Sequence, residues 1–225
     1  MTLIEQLFID LDDTLYPAGN GIWREVSSRI QAYMVERVGL TAQEADERRR
    51  RYYRQFGTSL TGLMADYDID PNEYLSFVHD LPHERYLSPN PELIELLERL
   101  PQSKAIFTNA SRSHAEKVLD LLEVSRYFSQ IVAIEDTGFI NKPELQAYRR
   151  ALELTGRRGG EGSLFADDSR KNLPPAAGLG MVTVWVSPRA ELPPEGVHHR
   201  IPSILQLTEA VPELLNGREG EQDVH

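Results

Sequence analysis

Carboxylates stand directly after the first apolar run of the chain, where Asp10, Asp12 and Asp13 follow Phe8 and Ile9. Strands of a parallel sheet are buried on both faces and read as continuous apolar runs, and ligands bind at the carboxyl edge of such a sheet. We expect Asp10 to lie at that edge and Asp12 to turn back towards the same point. Two carboxylates in different environments can divide a reaction, one acting as nucleophile and the other as acid and base. The alternative is a strand followed by an ordinary acidic turn.

Two later apolar segments also end in polar groups, Thr108 with Asn109 and Asp167 with Asp168. If these segments share a sheet with the first, their polar groups face the same crevice as the first carboxylates. Carboxylates brought that close repel one another by roughly 1 to 4 kcal/mol per pair. A cation is therefore needed in the crevice, and hard oxygen ligands select Mg²⁺.

Lys142 precedes Pro143, where the pattern predicts the start of a helix. The ammonium and the helix N-terminus would act together, and with Thr108, Asn109 and Mg²⁺ they would surround a tetrahedral dianion. We therefore predict a phosphate group as the ligand. Each group also has a plainer interpretation by itself: a turn at Thr108, a solvated surface lysine at Lys142 and a helix cap at Asp167. Their joint position at the strand ends of one sheet favours phosphate chemistry.

The elements that must position these groups alternate along the second part of the chain. Short apolar strands are predicted at residues 104–108, 130–134, 163–167 and 181–186, the last of them ending the sheet. Helices are predicted at residues 91–100, 112–123, 143–155 and 172–178. Strands alternating with helices of this length predict right-handed crossovers and an α/β fold, a Rossmann-like doubly wound parallel sheet.

Between the first strand and this alternating region, the sequence is helical in pattern and contains no convincing strand. Apolar residues recur at helical spacing from Ile22 to Val38, Thr41 with Glu44 has the form of a capping box, and Asp70 with Pro71 is typical of a helix start. We predict an all-helical cap at residues 17–87, inserted into an α/β core of residues 1–16 and 88–215. The polar tail at residues 216–225 is predicted to be disordered.

Composition limits the partners. The 225 residues are 40% hydrophobic, carry a formal net charge of −11 and include no cysteine. This charge argues against general affinity for nucleic acid or an anionic membrane. The run Arg48 to Arg51 follows Glu44, Asp46 and Glu47 at helical spacing, which predicts a solvated, paired face. With no basic, apolar leader at the N-terminus and no membrane-length apolar run, we expect a cytoplasmic protein. The oligomeric state is not predicted.

The candidate site residues form four motifs along the chain: Asp10-Leu11-Asp12-Asp13-Thr14, Thr108, Lys142 and Asp167-Asp168. In the order and spacing of these motifs, the chain resembles the haloacid dehalogenase-like hydrolases over nearly its whole length. The resemblance implies that Asp10 attacks phosphorus to form an aspartyl-phosphate. It implies that Asp12 protonates the leaving alkoxide and later activates water. Thr108 and Lys142 would hold the transferring phosphoryl group.

The same resemblance implies a Mg²⁺ site made by Asp10, Asp167, Asp168 and the backbone carbonyl of Asp12. Within the family, three segments resemble the pyrimidine 5'-nucleotidase branch, which also places a helical cap after the first strand: Asp10 to Pro17, Thr108 to Ser111 followed by His114, and Phe165 to Asn172. Asp13 departs from the branch, where asparagine is frequent.

The branch resemblance implies a phosphatase of nucleoside 5'-monophosphates that prefers pyrimidines, with Tyr16 and Trp23 as candidates to stack on a base. A sugar-phosphate phosphatase or a phosphomutase on the same scaffold is the alternative, because the fold does not fix the leaving group. A dehalogenase would attack carbon and would need neither Asp12 as acid and base nor a metal site. The alternative outside the enzymes is a binding module that uses the helical cap.

Overall fold

The computed structural model describes residues 3–189 and 191–215. Its centre is a sheet of six strands, every neighbouring pair of which is parallel. The strands are β1 (Gln6–Ile9), β2 (Ser103–Phe107), β3 (Gln130–Val132), β4 (Ser163–Asp167), β5 (Val182–Val186) and β6 (His199–Ile201). Their order, β3-β2-β1-β4-β5-β6, is that of a Rossmann-like doubly wound sheet. The predicted fold class is confirmed.

Helices connect the strands. Those in the α/β part are α5 (Pro91–Arg99), α6 (Arg112–Leu121), α7 (Leu145–Leu154), α8 (Leu173–Gly178) and α9 (Leu207–Ala210). Alternate strand residues supply two separate apolar clusters: Leu7 and Ile9 of β1 belong to one cluster and Phe8 belongs to the other. The sheet is therefore buried on both faces, so a polar ligand can reach it only at an edge.

The order of the strands reverses around β1, because the chain leaves β1 for β2 on one side and later returns to β4 on the other. Ile9 lies level with Ile106 of β2 and Ala166 of β4. The next residue on β1 is Asp10, and the next on β4 is Asp167. Register alone therefore puts these two carboxylates side by side at the switch point, where doubly wound sheets bind ligands.

Four helices lie between β1 and α5: α1 (Ile22–Glu36), α2 (Ala42–Phe56), α3 (Ser59–Asp66) and α4 (Pro71–Val78). The predicted caps are confirmed, since Thr41 and Glu44 form a reciprocal capping box and Asp70 accepts a hydrogen bond from the backbone N–H of Asn72. We call α1 to α4 the inserted helices. The division into a core of residues 1–16 and 88–215 and a cap of residues 17–87 stays a prediction, and the predicted disordered tail at 216–225 lies outside the described residues.

The arginine run of α2 is paired, as predicted, but not with all the predicted partners. Arg50 lies 2.8 Å from Asp46, the predicted helical pair. Arg51 and Arg48 instead lie 2.7 and 3.6 Å from Asp66 of α3. Two of the arginines thus tie α2 to α3, a contact that the spacing within one helix could not reveal.

Several predicted boundaries are wrong. The third strand was predicted to reach residue 134 but ends at Val132. The sheet does not end at residue 186, because β6 adds an edge strand of three residues, two of which are polar and half-buried, and such a strand is too short and too polar for a pattern to show. Helix α7 begins at Leu145 with Glu144 as N-cap, not at Pro143. The backbone of Lys142 is held by Asn109, as described below, so the helix starts only after that contact. Within the part of the chain that the structure describes, no helix is long and apolar enough to cross a bilayer.

Candidate active site

Lys142 joins the central carboxylates at the carboxyl edge of the sheet. Its Nζ lies 2.8 Å from Oδ1 of Asp10, 2.7 Å from Oδ2 of Asp167 and 2.6 Å from the carbonyl oxygen of Phe107. The lysine side chain is only 1% exposed. Burial by itself would lower the pKa of Lys142, but the charges of Asp10 and Asp167 outweigh it and raise the pKa, so the ammonium stays charged.

Asp10 is oriented from both sides. Its second oxygen accepts a hydrogen bond of 3.0 Å from the hydroxyl of Thr14, and that hydroxyl in turn accepts 3.0 Å from the backbone N–H of Asp168. Thr14 therefore links the end of β1 to the end of β4. With Lys142 on one oxygen and Thr14 on the other, the carboxylate of Asp10 has a fixed direction, as a nucleophile needs.

The adjacent carboxylates Asp167 and Asp168 have different surroundings. Asp167 is fully buried and accepts from Lys142, from the backbone N–H of Ser169 at 2.8 Å and from Asn172 at 3.0 and 2.9 Å. Asp168 is partly exposed and lines the cavity in front of Asp10. Asp167 thus holds the lysine in place, whereas Asp168 offers its oxygens to the cavity.

Oxygens of Asp10, Asp167 and Asp168 lie within 4.8 Å of one another, a spacing that suits one cation. Burial, partly offset by Lys142, raises the pKa of Asp10 to about 7. Burial and the charges of Asp10 and Asp167 raise the pKa of Asp168 to about 9. These carboxylates are short of positive charge, and hard oxygen donors suit Mg²⁺, so the residues fit the predicted ion. The side chain of Asp12 lies outside this cluster, and its predicted backbone ligand stays a prediction.

Thr108 and Asn109 follow β2 beside Asp10, and both line the cavity. The hydroxyl of Thr108 accepts from the backbone N–H of Ala110 at 3.0 Å, and its own proton has no acceptor among the described residues, so it can donate to a ligand. The amide of Asn109 is engaged differently from the prediction: its oxygen accepts from the N–H of Lys142 at 2.8 Å, and its nitrogen donates to the carbonyl of Lys142 at 3.1 Å. Asn109 therefore positions the lysine, and its phosphate-binding role stays a prediction.

Asp12 lies on the wall of the same cavity with partners of its own. Its Oδ1 accepts from the hydroxyl of Tyr16 at 2.5 Å and lies 2.7 Å from Nε2 of His114. Burial by itself would raise the pKa of Asp12, but His114 and the hydrogen bond from Tyr16 outweigh it and lower the pKa to about 2. The pKa values of the neighbouring carboxylates Asp10 and Asp12 are therefore shifted in opposite directions, which leaves Asp12 ionised. A cation bound beside Asp10 would lower the pKa of Asp10 as well.

The inserted helices close over these groups. Trp23 and Tyr53, each 48% exposed, stand on the cavity wall together with Arg49 and Lys171. The helices are tied down beside the lysine by Asn141, which bonds Thr61 at 2.6 Å and the carbonyl of Phe56 at 2.8 Å.

The cavity is partly open to solvent and has a volume of about 220 Å³. Tyr16 does not line it: the side chain is buried and donates to Asp12, so of the two predicted stacking residues only Trp23 can face a ligand.

Several residues of the site were not assigned roles from sequence. Thr14 and Asn172 stand inside the matched motifs, so their place in the motif was the available signal. His114 also stands in a motif, but nothing in the sequence couples it to Asp12. His83, whose Nε2 lies 2.9 Å from Nδ1 of His114, comes from the segment after α4 and carries no sequence signal.

Fold and site together define an α/β protein that gathers carboxylates, a lysine and a threonine at the switch point of a parallel sheet. The sequence profile described as "haloacid dehalogenase-like hydrolase" matches residues 4–180. The chain belongs to this family.

Relatives and solved structures agree with that membership. The chain is 29% identical over 188 residues to phosphate metabolism protein 8 of Saccharomyces cerevisiae, an alignment that covers 77% of this chain and 59% of the yeast protein. It is 21% identical over 195 residues to glyceraldehyde 3-phosphate phosphatase of Methanocaldococcus jannaschii, covering 82% and 85%. A HAD phosphatase from Thermococcus onnurineus has the same fold with a TM-score of 0.63 and 20% identity, over 93% of this chain and 97% of that one.

Proposed function

We propose that this protein is a Mg²⁺-dependent phosphomonoester hydrolase that works through an aspartyl-phosphate at Asp10. The observation that carries the proposal is the buried Lys142 ammonium, 2.8 Å from Asp10 and 2.7 Å from Asp167 at the switch point, with Asp168 facing the same cavity. A cation beside a fixed carboxylate can hold a phosphoryl dianion against its own nucleophile, which would otherwise repel it.

In the proposed reaction, an oxygen of Asp10 attacks phosphorus, and the bond between phosphorus and the leaving oxygen breaks. Asp12, which is ionised in the free protein, takes a proton from the monoanionic ester as the ester binds and gives it to that oxygen, so the alcohol leaves neutral. Water then attacks the aspartyl-phosphate while Asp12 takes its proton, which releases phosphate and restores Asp10. Lys142 and the hydroxyl of Thr108 hold the phosphoryl oxygens throughout.

Asp10, Asp167 and Asp168 would hold Mg²⁺, together with the predicted carbonyl of Asp12. Bound there, the ion supplies positive charge to the phosphate oxygens and offsets the mutual repulsion of the carboxylates. Asp167 contributes in a second way, because it also fixes the position of Lys142.

The names of two relatives support a phosphatase, since one is called a phosphate metabolism protein and the other a glyceraldehyde 3-phosphate phosphatase. A dehalogenase is disfavoured by the crowded carboxylates at the site. A binding module that uses the inserted helices, the alternative outside the enzymes, is disfavoured because the carboxylates, lysine and threonine that the proposed reaction uses line one cavity. The proposed partner is a small phosphorylated substrate, and the cytoplasmic location stays a prediction from sequence.

For the substrate, we propose a nucleoside 5'-monophosphate with a preference for pyrimidines. The support is the resemblance of the three core segments to the pyrimidine 5'-nucleotidase branch, together with Trp23, whose half-exposed indole stands on the cavity wall. An aromatic face stacks on a flat base. Closure of the inserted helices over the ligand would keep water away from the reaction until the nucleoside leaves.

A sugar-phosphate phosphatase is the second candidate, and the size of the cavity favours it. At about 220 Å³ the cavity is smaller than the range of about 300 to 1,000 Å³ usual for ligand sites. A phosphorylated triose or small sugar fits such a volume more readily than a nucleotide, part of which would extend out of the partly open cavity. The archaeal relative's name points to the same kind of substrate.

Phosphate release with Mg²⁺ present, measured as kcat/KM on UMP, CMP, AMP, GMP and a set of sugar phosphates, tests these proposals. A higher kcat/KM for any sugar phosphate than for every nucleotide refutes the nucleotidase proposal. Equal values for purines and pyrimidines refute only the base preference. No release from any substrate refutes phosphomonoester hydrolysis itself.

A further inference from the structure

Within the described residues, Asp12 is hydrogen-bonded through one of its two carboxylate oxygens. Tyr16 and His114 both bond Oδ1, at 2.5 and 2.7 Å, and among the described residues Oδ2 has no hydrogen-bond partner. The carboxylate of Asp12 is 26% exposed and lines the cavity, whereas the side chain of His114 is 1% exposed. One oxygen is therefore anchored in the protein, and the other is left to face the ligand.

His114 also has a partner on the side of the ring away from Asp12. Its Nδ1 lies 2.9 Å from Nε2 of His83, and Nδ1 of His83 lies 2.8 Å from the carbonyl oxygen of Leu81. A carbonyl only accepts, so Nδ1 of His83 carries a hydrogen. Both ring nitrogens of His114 thus have a polar partner, His83 on one side and Asp12 on the other, and the ring cannot turn without losing both contacts.

We propose that His114, backed by His83, is a positioning residue that works with Tyr16 to aim Oδ2 of Asp12 at the oxygen of the leaving group. The inference rests on the proposed phosphomonoester hydrolysis. Oδ2 first takes a proton from the bound monoanionic ester. As Asp10 bonds to phosphorus and the bond from phosphorus to the leaving oxygen breaks, the electron pair stays on that oxygen, which takes the proton from Oδ2. In the second step the water oxygen bonds to phosphorus, the bond between phosphorus and Asp10 breaks, and Oδ2 takes back a proton from the water.

Proton transfer requires the two heavy atoms to approach within about 2.6 to 3.2 Å, so it is sensitive to the orientation of the donor. Asp12 sits in a turn rather than in a strand or helix, so the backbone alone leaves its side chain free to choose other rotamers. A misplacement of about 1 Å can cost on the order of a hundredfold in rate. Two donors on Oδ1 remove that freedom.

The simpler view is that His114 only fills space. It stacks on His79 with ring centroids 4.4 Å apart, and it is a buried residue of the first turn of α6. Loss of such packing would lower stability and would affect all substrates alike. A positioning role differs in one respect: it matters most for leaving groups that need a proton, because a well-stabilised phenolate departs without one.

Two amide variants separate these views. In His114→Gln the amide reaches the place of Nε2 and can still donate to Asp12, whereas in His114→Asn it reaches only the place of Nδ1 and keeps His83 alone. We would measure kcat/KM with Mg²⁺ on phenyl phosphate, 4-nitrophenyl phosphate and intermediate ring-substituted phenyl phosphates. Because kcat/KM covers only the steps through the first irreversible one, it reports the protonation of the leaving group.

We expect His114→Asn to lower kcat/KM for phenyl phosphate by about tenfold to a hundredfold and for 4-nitrophenyl phosphate by less than about threefold. His114→Gln should recover much of the loss. Tyr16→Phe, which keeps the buried ring, should shift the same ratio in the same direction and provides the test if His114→Asn does not fold.

An unchanged ratio between the two substrates in folded His114→Asn, or in Tyr16→Phe if His114→Asn does not fold, would overturn the positioning role while leaving phosphomonoester hydrolysis intact. Equal losses in the Asn and Gln variants would also overturn it. If the unaltered protein released no phosphate from any of these esters, the proposed function itself would fail, and the positioning role with it.

Discussion

Replacing Lys142 by methionine tests the electrostatics of the site. Methionine keeps the buried chain but removes the ammonium that lies 2.8 Å from Asp10 and 2.7 Å from Asp167. Both carboxylates are then buried without their cation. The carbonyl of Phe107 also loses its donor, at 2.6 Å.

Removing one partner of a buried ion pair costs about 3 to 5 kcal/mol of unfolding free energy. For a chain of this size that lowers the melting temperature by about 6 to 20 °C. Because burial already raises the pKa of Asp10 to about 7, the lone carboxylates take up protons in acid, which relieves part of the cost. The loss should therefore be larger at pH 8 than at pH 5. Mg²⁺, which replaces part of the missing charge, should restore some of the stability at pH 8.

The measurement is urea unfolding of Lys142→Met and the parent protein at pH 5 and pH 8, in EDTA and with Mg²⁺. Lys104→Met is the matched control. Lys104 is also buried, but within the described part of the chain it donates to carbonyls alone, those of Leu100 and Gln102, at 2.6 and 3.0 Å. Its cost should depend on neither pH over this range nor Mg²⁺. A loss below about 1 kcal/mol at pH 8, or the same pH dependence in both variants, would refute the reasoning.

Three further predictions follow from the same carboxylates. Asp10→Asn should keep the fold, seen in its melting curve, but lose phosphate release, because an amide is a poor nucleophile; recovery of a phosphorylated peptide lacking Asp10 from the parent protein would contradict the assignment. Mg²⁺ should raise the melting temperature of the parent but not of a double Asp167→Asn, Asp168→Asn variant, and an equal rise in both would place the metal elsewhere. In EDTA the unfolding free energy should fall as pH rises from about 4 to 9, because Asp10 and Asp168, with pKa values raised to about 7 and about 9, bind protons more tightly when folded. A flat or rising urea midpoint over that range would count against the raised pKa values.

Local pattern determined the fold class and the strand ends. An apolar run that stops at Asp10, another that stops at Thr108 and a third that stops at Asp167 are local features, and parallel strands bring their ends together by topology alone. Helix starts at Thr41 and Asp70 were equally predictable, because a cap is an interaction within a few residues. The strand-end residues Asp10, Thr108 and Asp167 were therefore predictable from sequence, whereas His83 was not.

The hydrogen-bond partners of each site residue, and hence its local role, were decided by tertiary contacts. The sequence grouped Asn109 with the phosphate ligands, but its amide meets the backbone of Lys142, 33 residues away. It treated Asp167 and Asp168 alike, but Lys142 and Asn172 occupy the first and leave the second facing the cavity. Such differences depend on which distant residues the fold brings into contact with each side chain. The periodicity of the sequence contains no information about those contacts.

The surroundings of Asp12 show the same limit most clearly. His114 lies 102 residues from Asp12 in sequence. His83 lies 31 residues before His114, and α5 and β2 come between them in the sequence. The sequence by itself determined that a strand end would carry Asp10 and Asp12, since burial on both faces of a parallel sheet requires the apolar run that precedes them. Only the packing of the segment after α4, which carries His83, against α6, which carries His114, placed the two histidines beside Asp12. Contacts between distant segments depend on how whole elements pack together rather than on any local preference.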